Sequence, residues 1–205
     1  MSLFLATPVG RKPEWEYLSG CVETVRAYPE TILATWRSGS IQFNRDVLSE
    51  RFRASGYDRC LFVDTDVGFS HRHVKMLLET DKDVVGGLYS LKSETSPYYA
   101  GAIRSVDDGP VVPCDIVAAG FLMITREAIL KVSASIPEQH YQVGGIGLVA
   151  ALWQDIVDWS PGAKCYRDDA AFSKRCLDAG LELWVHTGCV LNHWGDNPFR
   201  PKPVK

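Results

Sequence analysis

The stretch from Cys60 to Phe69, with the sequence CLFVDTDVGF, constrains the fold more than any other part of the chain. Leu61–Val63 is an uninterrupted apolar run, which is typical of a parallel strand buried on both faces. Asp64 and Asp66 follow where this strand leaves the sheet. Because side chains of a strand alternate with a period of two, both carboxylates are predicted to point to the same side. Ligands of open α/β sheets bind at the carboxyl ends of strands, so this is a candidate binding site.

The two carboxylates of Asp64 and Asp66 predict a site for a divalent cation. Like charges held close together are costly unless a cation joins them, and hard oxygen donors favour Mg²⁺ or Mn²⁺. Such a cation keeps open positions that substrate phosphates can fill. The alternative is a pair of ordinary turn residues, since Asp and Gly both favour turns. We favour a metal–diphosphate site because the acids follow the apolar strand so directly.

Composition indicates one soluble globular domain with a substantial core. The chain has 205 residues, 46% hydrophobic and 23% charged, with a formal net charge of -3. This balance favours neither nucleic acid nor an anionic membrane as a partner. The apolar runs are much shorter than the ~20 residues that cross a bilayer. Six scattered cysteines are typical of reduced, buried thiols, and together these features predict a soluble, cytoplasmic protein without a membrane span.

Alternation of strand and helix patterns predicts a mostly parallel central sheet flanked by helices. The first unit is a strand at Leu3–Ala6 and a helix at 14–28 that carries Trp15, Leu18, Val22 and Val25 at helical spacing. A strand at Thr31–Thr35 and a helix at Ile41–Phe52, with Ser40 as N-cap, form the second unit. Two strands joined by a turn-rich segment, at 98–103 and 114–118, predict a small antiparallel element. The fold class is therefore α/β.

A second acidic segment runs from Arg167 to Gly180 and predicts a helix with acids in its first turn and glycine at its end. Asp169 lies three residues before Phe172, on the apolar stripe that should face the sheet. Helix capping explains one of the aspartates Asp168 and Asp169 but not easily both, so we favour a functional role.

Two other segments lack a clear periodic pattern. Residues 133–153 contain Gly144, Gly145 and Gly147, and we interpret this stretch as a lid or acceptor loop. Residues 198–205 are rich in proline and basic, which indicates a tail or linker after a domain at 1–197, and the chain could be part of a longer multidomain protein.

In their order along the chain, these motifs resemble the nucleotide-sugar-dependent glycosyltransferases of the GT-A fold, including viral and bacterial members. The resemblance is carried by the Asp64-x-Asp66 motif, Asn44-Arg45 on the preceding helix, the Asp168-Asp169 helix and a histidine, His193, after the last strand. It covers nearly the whole chain, although each motif is short. It implies a single GT-A-like domain that transfers a sugar from a nucleoside diphosphate to a hydroxyl group.

The resemblance also implies roles for individual residues. Asp66 and His193 match the positions of metal ligands, with Asp64 contacting the metal indirectly or the ribose of the donor. A histidine ligand favours Mn²⁺ over Mg²⁺. A structural role for His193 remains the alternative.

The expected donor is a nucleoside-diphosphate sugar, most simply a UDP-sugar. The implied donor-binding residues are spread over the chain, from the loop after the first strand to the glycine-containing segment before the last core strand. They are Thr7, Pro8, Arg45, Asp64, Tyr89, Lys92 and Gly120. For each there is a structural alternative, such as a strand-end turn for Thr7 and Pro8, a solvated charge for Arg45 and Lys92, a half-buried strand position for Tyr89 and a bulge for Gly120.

The acidic helix matches the segment that supplies the catalytic base of inverting GT-A enzymes. Asp169 matches the usual base position, and Asp168 replaces the usual glutamate, so the choice between the two stays open. The acceptor is expected to be a glycan or another hydroxyl compound, and nucleic acid is not required.

Two other classes of protein fit parts of the pattern. A haloacid-dehalogenase-like phosphohydrolase would use Asp64 of the Asp-x-Asp motif as its nucleophile, although that motif normally lies on the first strand of the chain. A carbohydrate- or nucleotide-binding domain without catalytic activity would retain the fold and bind the donor without turnover.

Overall fold

The computed structural model describes residues 2–10, 12–92, 101–103, 109–160, 162–195 and 198–199. Its first half contains β1 (Leu3–Pro8), α1 (Trp15–Ala27), β2 (Thr31–Trp36), α2 (Ile41–Ser55), β3 (Arg59–Val63), β4 (Val67–Gly68), α3 (His71–Leu78) and β5 (Val84–Leu88). The second half contains β6 (Gly101–Ile103), β7 (Val111–Val117), β8 (Phe121–Thr125), α4 (Arg126–Ser135), β9 (His140–Val143), β10 (Gly147–Ala150), α5 (Asp168–Asp178), β11 (Trp184–Val190), β12 (Asn192–Trp194) and β13 (Pro198–Phe199).

The central sheet has the strand order β2-β1-β3-β8-β5-β11-β7-β6 within the described ranges. The strands β1, β2, β3, β5 and β11 run in one direction, whereas β8 and β7 run against their neighbours. β6 pairs antiparallel with β7, as the sequence predicts for this element. The predicted α/β class, with a mostly parallel sheet flanked by helices, is confirmed.

Apolar side chains fill the space on both faces of this sheet. One cluster joins strand residues such as Phe62 to Phe52 of α2 and Phe172 of α5. The other joins the opposite face to Cys21 of α1 and Leu77 of α3. The domain therefore has three layers, and the apolar run of β3 is buried on both faces as predicted.

The apolar periodicity that locates α1 in the sequence does not mark its buried face. Its apolar residues at helical spacing are exposed: Trp15 (75%), Leu18 (43%), Val22 (51%) and Val25 (39%). The buried face consists instead of Tyr17, Gly20, Cys21 and Thr24. At Gly20 an added Cβ would lie 2.6 Å from the carbonyl oxygen of Phe69, so the small residue lets α1 approach the chain closely. Close packing of the small face determined the orientation, and the apolar periodicity did not.

The region predicted as a lid, residues 133–153, is mostly ordered structure. It contains the end of α4 and an antiparallel hairpin of β9 and β10. Gly145 and Gly147 adopt positive φ values of 76° and 112° at the turn, which explains the glycines as turn residues. Trp153, after the hairpin, is fully buried. The segment is therefore not the irregular stretch that the sequence suggested, and its role as a lid or acceptor loop stays a prediction.

Pairing of short strands extends close to the end of the described chain. β4, β12 and β13 form a small antiparallel sheet, with β12 between the other two. Pro198 and Phe199, the first residues of the predicted tail, thus pair with β12, and the remainder of the tail lies outside the described residues. No helix among the described residues is both long and apolar enough to span a bilayer.

Candidate functional site

The strand β3 ends at Val63, and a turn separates it from β4, so the alternation of a strand does not extend to Asp66. The carboxylate of Asp64 binds Arg45, whereas that of Asp66 contacts Lys92 and lies beside His193. The strand geometry behind the prediction that both carboxylates point to one side therefore does not hold at Asp66, whereas their role in one metal–diphosphate site stays a prediction. Each acid has its own cationic partner.

Arg45 lies at the centre of a cluster of three carboxylates. Its side chain is 3% exposed. Nη2 donates to both oxygens of Asp64, at 2.9 and 3.0 Å, and Nη1 donates to Asp168 at 2.7 Å and to Asp169 at 3.2 Å. Its guanidinium also lies 5.3 Å from the ring centre of Trp153. Although burial lowers the pKa of Arg45, the three acids raise it well above its usual value, so the guanidinium stays charged.

The start of α5 holds Asp168 and Asp169 against this arginine. The first turn of the helix begins at Asp168, whose φ of 43° is unusual for a residue other than glycine. Its backbone N–H donates to Asp155, 3.2 Å away. Strained backbone is common where a side chain has to be held in a particular direction at a functional site.

Asp169 is tied to the loop between β7 and β8. Its Oδ2 accepts a hydrogen bond of 3.0 Å from the backbone N–H of Ala119, while Oδ1 faces Arg45. About a third of the side chain is exposed, but both oxygens point to protein donors. Burial, together with the charge of Asp168, raises the pKa of Asp169 to about 6, although the charge of Arg45 opposes this rise.

Gly120 lies where these contacts converge. Its N–H donates to the Tyr89 hydroxyl at 2.8 Å, and its carbonyl accepts from the N–H of Asp64 at 3.0 Å. An added Cβ would lie 2.5 Å from the Tyr89 hydroxyl and 3.3 Å from Oδ2 of Asp64. Gly120 is required here by close approach. Tyr89 itself is buried, and not half-buried as its alternative interpretation assumed.

The pairing of β12 with β4 brings His193 to Asp66. His193 lies opposite Val67 in this pairing, and the N–H of Trp194 donates to the Asp66 carbonyl at 2.7 Å. Nδ1 of His193 donates to the carbonyl of Ser90 at 2.8 Å, so Nε2 faces Asp66, with Nε2 and Oδ2 3.7 Å apart. A hydrogen bond from one ring nitrogen to a carbonyl commonly orients the other nitrogen of a metal-binding histidine.

Asp66 is held as a carboxylate by its neighbours. Burial alone would raise the pKa of Asp66, but its interactions with the His193 ring and the Lys92 ammonium group lower it well below its usual value. Among the described residues, no three His, Cys, Asp or Glu side chains come together as a metal site. Asp66 and His193 nevertheless fit a cation that takes its other ligands from a diphosphate and water, because Mg²⁺-type sites commonly use only one or two protein ligands.

The two groups of residues are connected through Tyr89. The Tyr89 and His193 rings meet edge to face with centres 5.0 Å apart, and Tyr89 contacts Gly120, which follows Ala119. The metal candidates and the acidic cluster thus line one continuous site at the ends of β3 and β5.

A cavity of about 620 Å³ opens beside Asp168. It is lined by the segments after β1 and β2 and by the start of α2: Gly10, Ser38, Gly39, Ser40, Ile41, Gln42, Asn44, Arg167 and Asp168. The predicted residues Thr7 and Pro8 lie on β1 itself and are buried, and the Thr7 hydroxyl is 2.7 Å from that of Tyr17. The structure therefore places Gly10 at this cavity in their stead.

Sequence analysis missed several residues that shape the site. Trp153 stacks on Phe172 with ring centres 4.0 Å apart and lies under Arg45. Asp46 accepts hydrogen bonds from the backbone N–H of Trp153 and from Gln154 and Tyr141. In the sequence, Asp46 could have been noticed only because it follows Arg45, a candidate donor-binding residue, in the same predicted helix.

Comparison with solved structures supports the fold. A197 from STIV matches with a TM-score of 0.62 and 17% identity, over 98% of this chain and 91% of A197. At this identity the match shows a shared fold alone. A Bacillus anthracis protein described as a glucose-1-phosphate thymidylyltransferase, in complex with sucrose, matches with a TM-score of 0.40 and 10% identity, over 64% of this chain and 74% of that protein.

The sequence comparisons found no relatives: no protein-family profile and no curated protein matches the chain. The chain thus shares its α/β fold with A197 from STIV, and its activity has to be inferred from the site.

Proposed function

We propose that this protein is a metal-dependent glycosyltransferase that moves a sugar from a nucleoside-diphosphate sugar, such as a UDP-sugar, to an acceptor hydroxyl with inversion. The observation that carries the proposal is the meeting of two different acidic groups at the ends of β3 and β5. Asp66 beside His193 suits a cation, and Asp169 beside Ala119 suits a proton acceptor. The fold is compatible with this chemistry but does not by itself indicate it.

The donor would bind with its nucleoside in the cavity beside Gly10 and its diphosphate towards Asp66. A cation held by Asp66 and His193, Mn²⁺ or Mg²⁺, would offset the negative charge that develops on the leaving diphosphate. Lys92, which contacts Asp66, provides a further positive charge at this point. Gly120 would contribute to donor binding by letting Tyr89 and Asp64 pack closely beside the donor, because these two side chains fill the space next to its Cα.

Arg45 contributes in a way that the sequence pattern did not indicate. Its Nη atoms are all bonded to carboxylates, so its first role is to hold Asp64, Asp168 and Asp169 together. Contact between Arg45 and the diphosphate remains part of the proposal and would require the arginine to exchange one of these partners.

Asp169 is the proposed general base. Because its pKa is about 6, it is mostly ionised at neutral pH and still able to take a proton from an acceptor hydroxyl as that hydroxyl attacks. Asp168 lies on the same arginine and borders the cavity, which suits a role in positioning.

The decisive experiment is calorimetric titration of the protein with nucleoside diphosphates and nucleotide sugars, with and without Mn²⁺. We expect one nucleotide to bind in a Mn²⁺-dependent manner, and Asp66→Ala to abolish that dependence. Asp178→Ala, which removes an exposed carboxylate at the far end of α5, is the matched control and should bind normally. Unchanged Mn²⁺-dependent binding by Asp66→Ala would refute the metal assignment.

The same preparation can test the two rival functions. A phosphohydrolase would form a phosphoaspartate at Asp64, but both oxygens of that carboxylate accept hydrogen bonds from Arg45. A phosphatase assay that detects activity lost in Asp64→Asn would favour the hydrolase. Nucleotide-sugar binding without turnover, and insensitive to loss of Asp169, would favour a binding domain.

A further inference from the structure

One face of α1 exposes an apolar stripe that packing inside the domain does not explain. The stripe consists of Trp15, Leu18, Val22 and Val25, whose spacing of three, four and three residues places them on one side of the helix. Each is exposed by 39% or more, and Trp15 by 75%. Isolated exposed apolar residues are ordinary, but four on one helix face form a continuous surface.

The stripe lies on the side of α1 that faces the β2 edge of the sheet. On the helix, Glu23 and the stripe lie on opposite sides of the buried face, and Glu23 contacts His71 of α3 at 3.2 Å. α3 packs over β5 and β11, which lie towards the far end of the strand order from β2. The side of α1 that points away from α3 is therefore the side nearest β2.

β2 continues this apolar surface at the edge of the sheet. It pairs with β1 on one side, and its other side has no strand partner among the described residues. Leu33 lies opposite Leu5, which packs with α1, so Leu33 is on the same face of the sheet as the stripe. Leu33 is 46% exposed and Ile32 is 42% exposed. Ile32, opposite Phe4, points to the other face of the sheet, so it extends the exposed apolar edge but not the helix-side surface. We call the stripe together with Leu33 the edge surface.

The sequence of β2, TILATW, contains none of the features that usually protect an edge strand. Proteins commonly place lysine, proline or a bulge on such a strand to prevent pairing with another chain. Threonine, isoleucine and tryptophan instead favour strand pairing. An unprotected edge beside an apolar helix face is suited to a partner that supplies both a strand and an apolar surface.

We infer that the edge surface is the interface of a homodimer in which β2 pairs antiparallel with β2 of a second copy. Antiparallel pairing of identical edge strands is generated by a two-fold axis perpendicular to the sheet. That axis places both α1 helices on the same face, so that one stripe meets the other. A second copy of this chain therefore supplies both a strand to pair with β2 and an apolar helix face to cover the stripe.

The size of the edge surface supports this partner. Its five side chains expose roughly 500 Å², and a two-fold interface counts that area twice, which gives about 1,000 Å², the lower limit for a stable interface. The backbone of the paired strands adds to this area. A membrane is a poorer partner, because lipid offers no hydrogen bonds to the strand edge.

The test is sedimentation velocity of the whole chain over a range of concentrations, with Val22→Glu, Leu33→Lys and a control. Both sites are exposed, so the variants should fold normally, which circular dichroism checks. Each substitution occurs twice across a two-fold interface, and burying like charges costs several kcal/mol, so the dimer dissociation constant should rise by roughly 100-fold or more. Leu148→Glu, at a 56% exposed site on β10, should leave it unchanged.

Hydrogen exchange provides a second measurement. Amides in residues 31–36 should exchange more slowly at concentrations where the dimer forms, and this protection should be lost in Leu33→Lys. A parent protein that stays monomeric at its highest soluble concentration would overturn the proposal, as would equal effects of Leu148→Glu and Val22→Glu. A monomeric parent that sediments with anionic phospholipid vesicles would assign the edge surface to a membrane.

Discussion

Arg45 is hydrogen-bonded to three carboxylates, so a single positive charge offsets the repulsion among three acidic side chains. Buried acids that share a single cation depend strongly on it, because removing one partner of a buried ion pair leaves the other charges uncompensated. Because the charge of Arg45 opposes the effect of burial, the pKa of Asp169 rises less than burial alone would raise it.

Replacement of Arg45 by methionine should therefore destabilise the protein by about 3–5 kcal/mol at neutral pH. The loss should be smaller in mild acid. Without the arginine the pKa of Asp169 rises further above its unfolded value, so folding favours the protonated form and the stability of the variant falls as pH rises. Urea unfolding at several pH values measures this effect. An Arg45→Met variant as stable as the parent at neutral pH would show that the ion cluster does not contribute to folding.

Asp169→Asn should lower turnover by roughly 10²- to 10⁴-fold, because the amide cannot accept a proton from the attacking hydroxyl. Donor affinity should change little. In the parent, activity should rise with pH to a plateau above about 6, where Asp169 is ionised. NMR of the product should show an inverted anomeric centre, and retention would contradict the proposed mechanism. Asp178→Asn, at the other end of the same helix, serves as the control for helix stability.

Gly120→Ala should disturb both halves of the site, because its Cβ would lie 2.5 Å from the Tyr89 hydroxyl. Tyr89 is buried and cannot move freely, so we expect a loss of turnover and a lower melting temperature. Gly144→Ala is the matched control, since nothing lies within 4 Å of the added atom there. Equal effects of the two substitutions would argue against close packing at Gly120 as the cause.

At the scale of elements, sequence patterns located most helices and strands but did not show for every helix which face is buried. Capping and the apolar stripe of Phe172 and Cys176 predicted α5, and both residues are buried. The apolar periodicity of α1 did not mark its buried face, because the contact at Gly20 depends on a distant carbonyl that no local pattern reveals. β4 and β12 are too short to show periodicity, so the pairing that brings His193 to Asp66 could be expected only from the family resemblance.

Asp46 shows how one helix holds a distant segment in place. It links α2 to Trp153, Tyr141 and Gln154 after or within the β9–β10 hairpin. Asp46→Ala should cost about 1–3 kcal/mol, because the buried N–H of Trp153 loses its acceptor. It should also lower turnover through the displacement of Trp153 from Arg45. Thermal unfolding and kinetic assays measure the two effects. A variant that loses stability but keeps full turnover would separate Trp153 from the function of the site.

At the scale of the whole molecule, two carboxyls give folding an unusual pH dependence. Burial raises the pKa of Asp46 to about 6, the same value as that of Asp169. Between about pH 4 and 6 the folded protein keeps protons on these groups that the unfolded chain has released, so both contributions to stability fall as pH rises through this window.

Relative to the parent, the double variant Asp46→Asn/Asp169→Asn should therefore gain stability as pH rises from about 4 to 6, with little further change above that. Urea midpoints of the two proteins, measured in parallel, isolate this difference from the titration of other groups. A difference that is constant with pH, or that changes in the opposite direction, would contradict the raised pKa values.

The strand order has a consequence for how the chain folds as it is synthesised. β8 lies between β3 and β5, both of which precede it, and the other neighbour of β5 is β11, which comes later still. Until residues 121–125 leave the ribosome, one edge of β3 lacks its partner strand. Neither of the two strands that flank β5 in the folded protein, β8 and β11, is yet available to it. Such contacts between distant parts of a chain form slowly, and open strand edges favour aggregation in the meantime. A nascent chain that stops before β8 should therefore depend on chaperones to stay in solution.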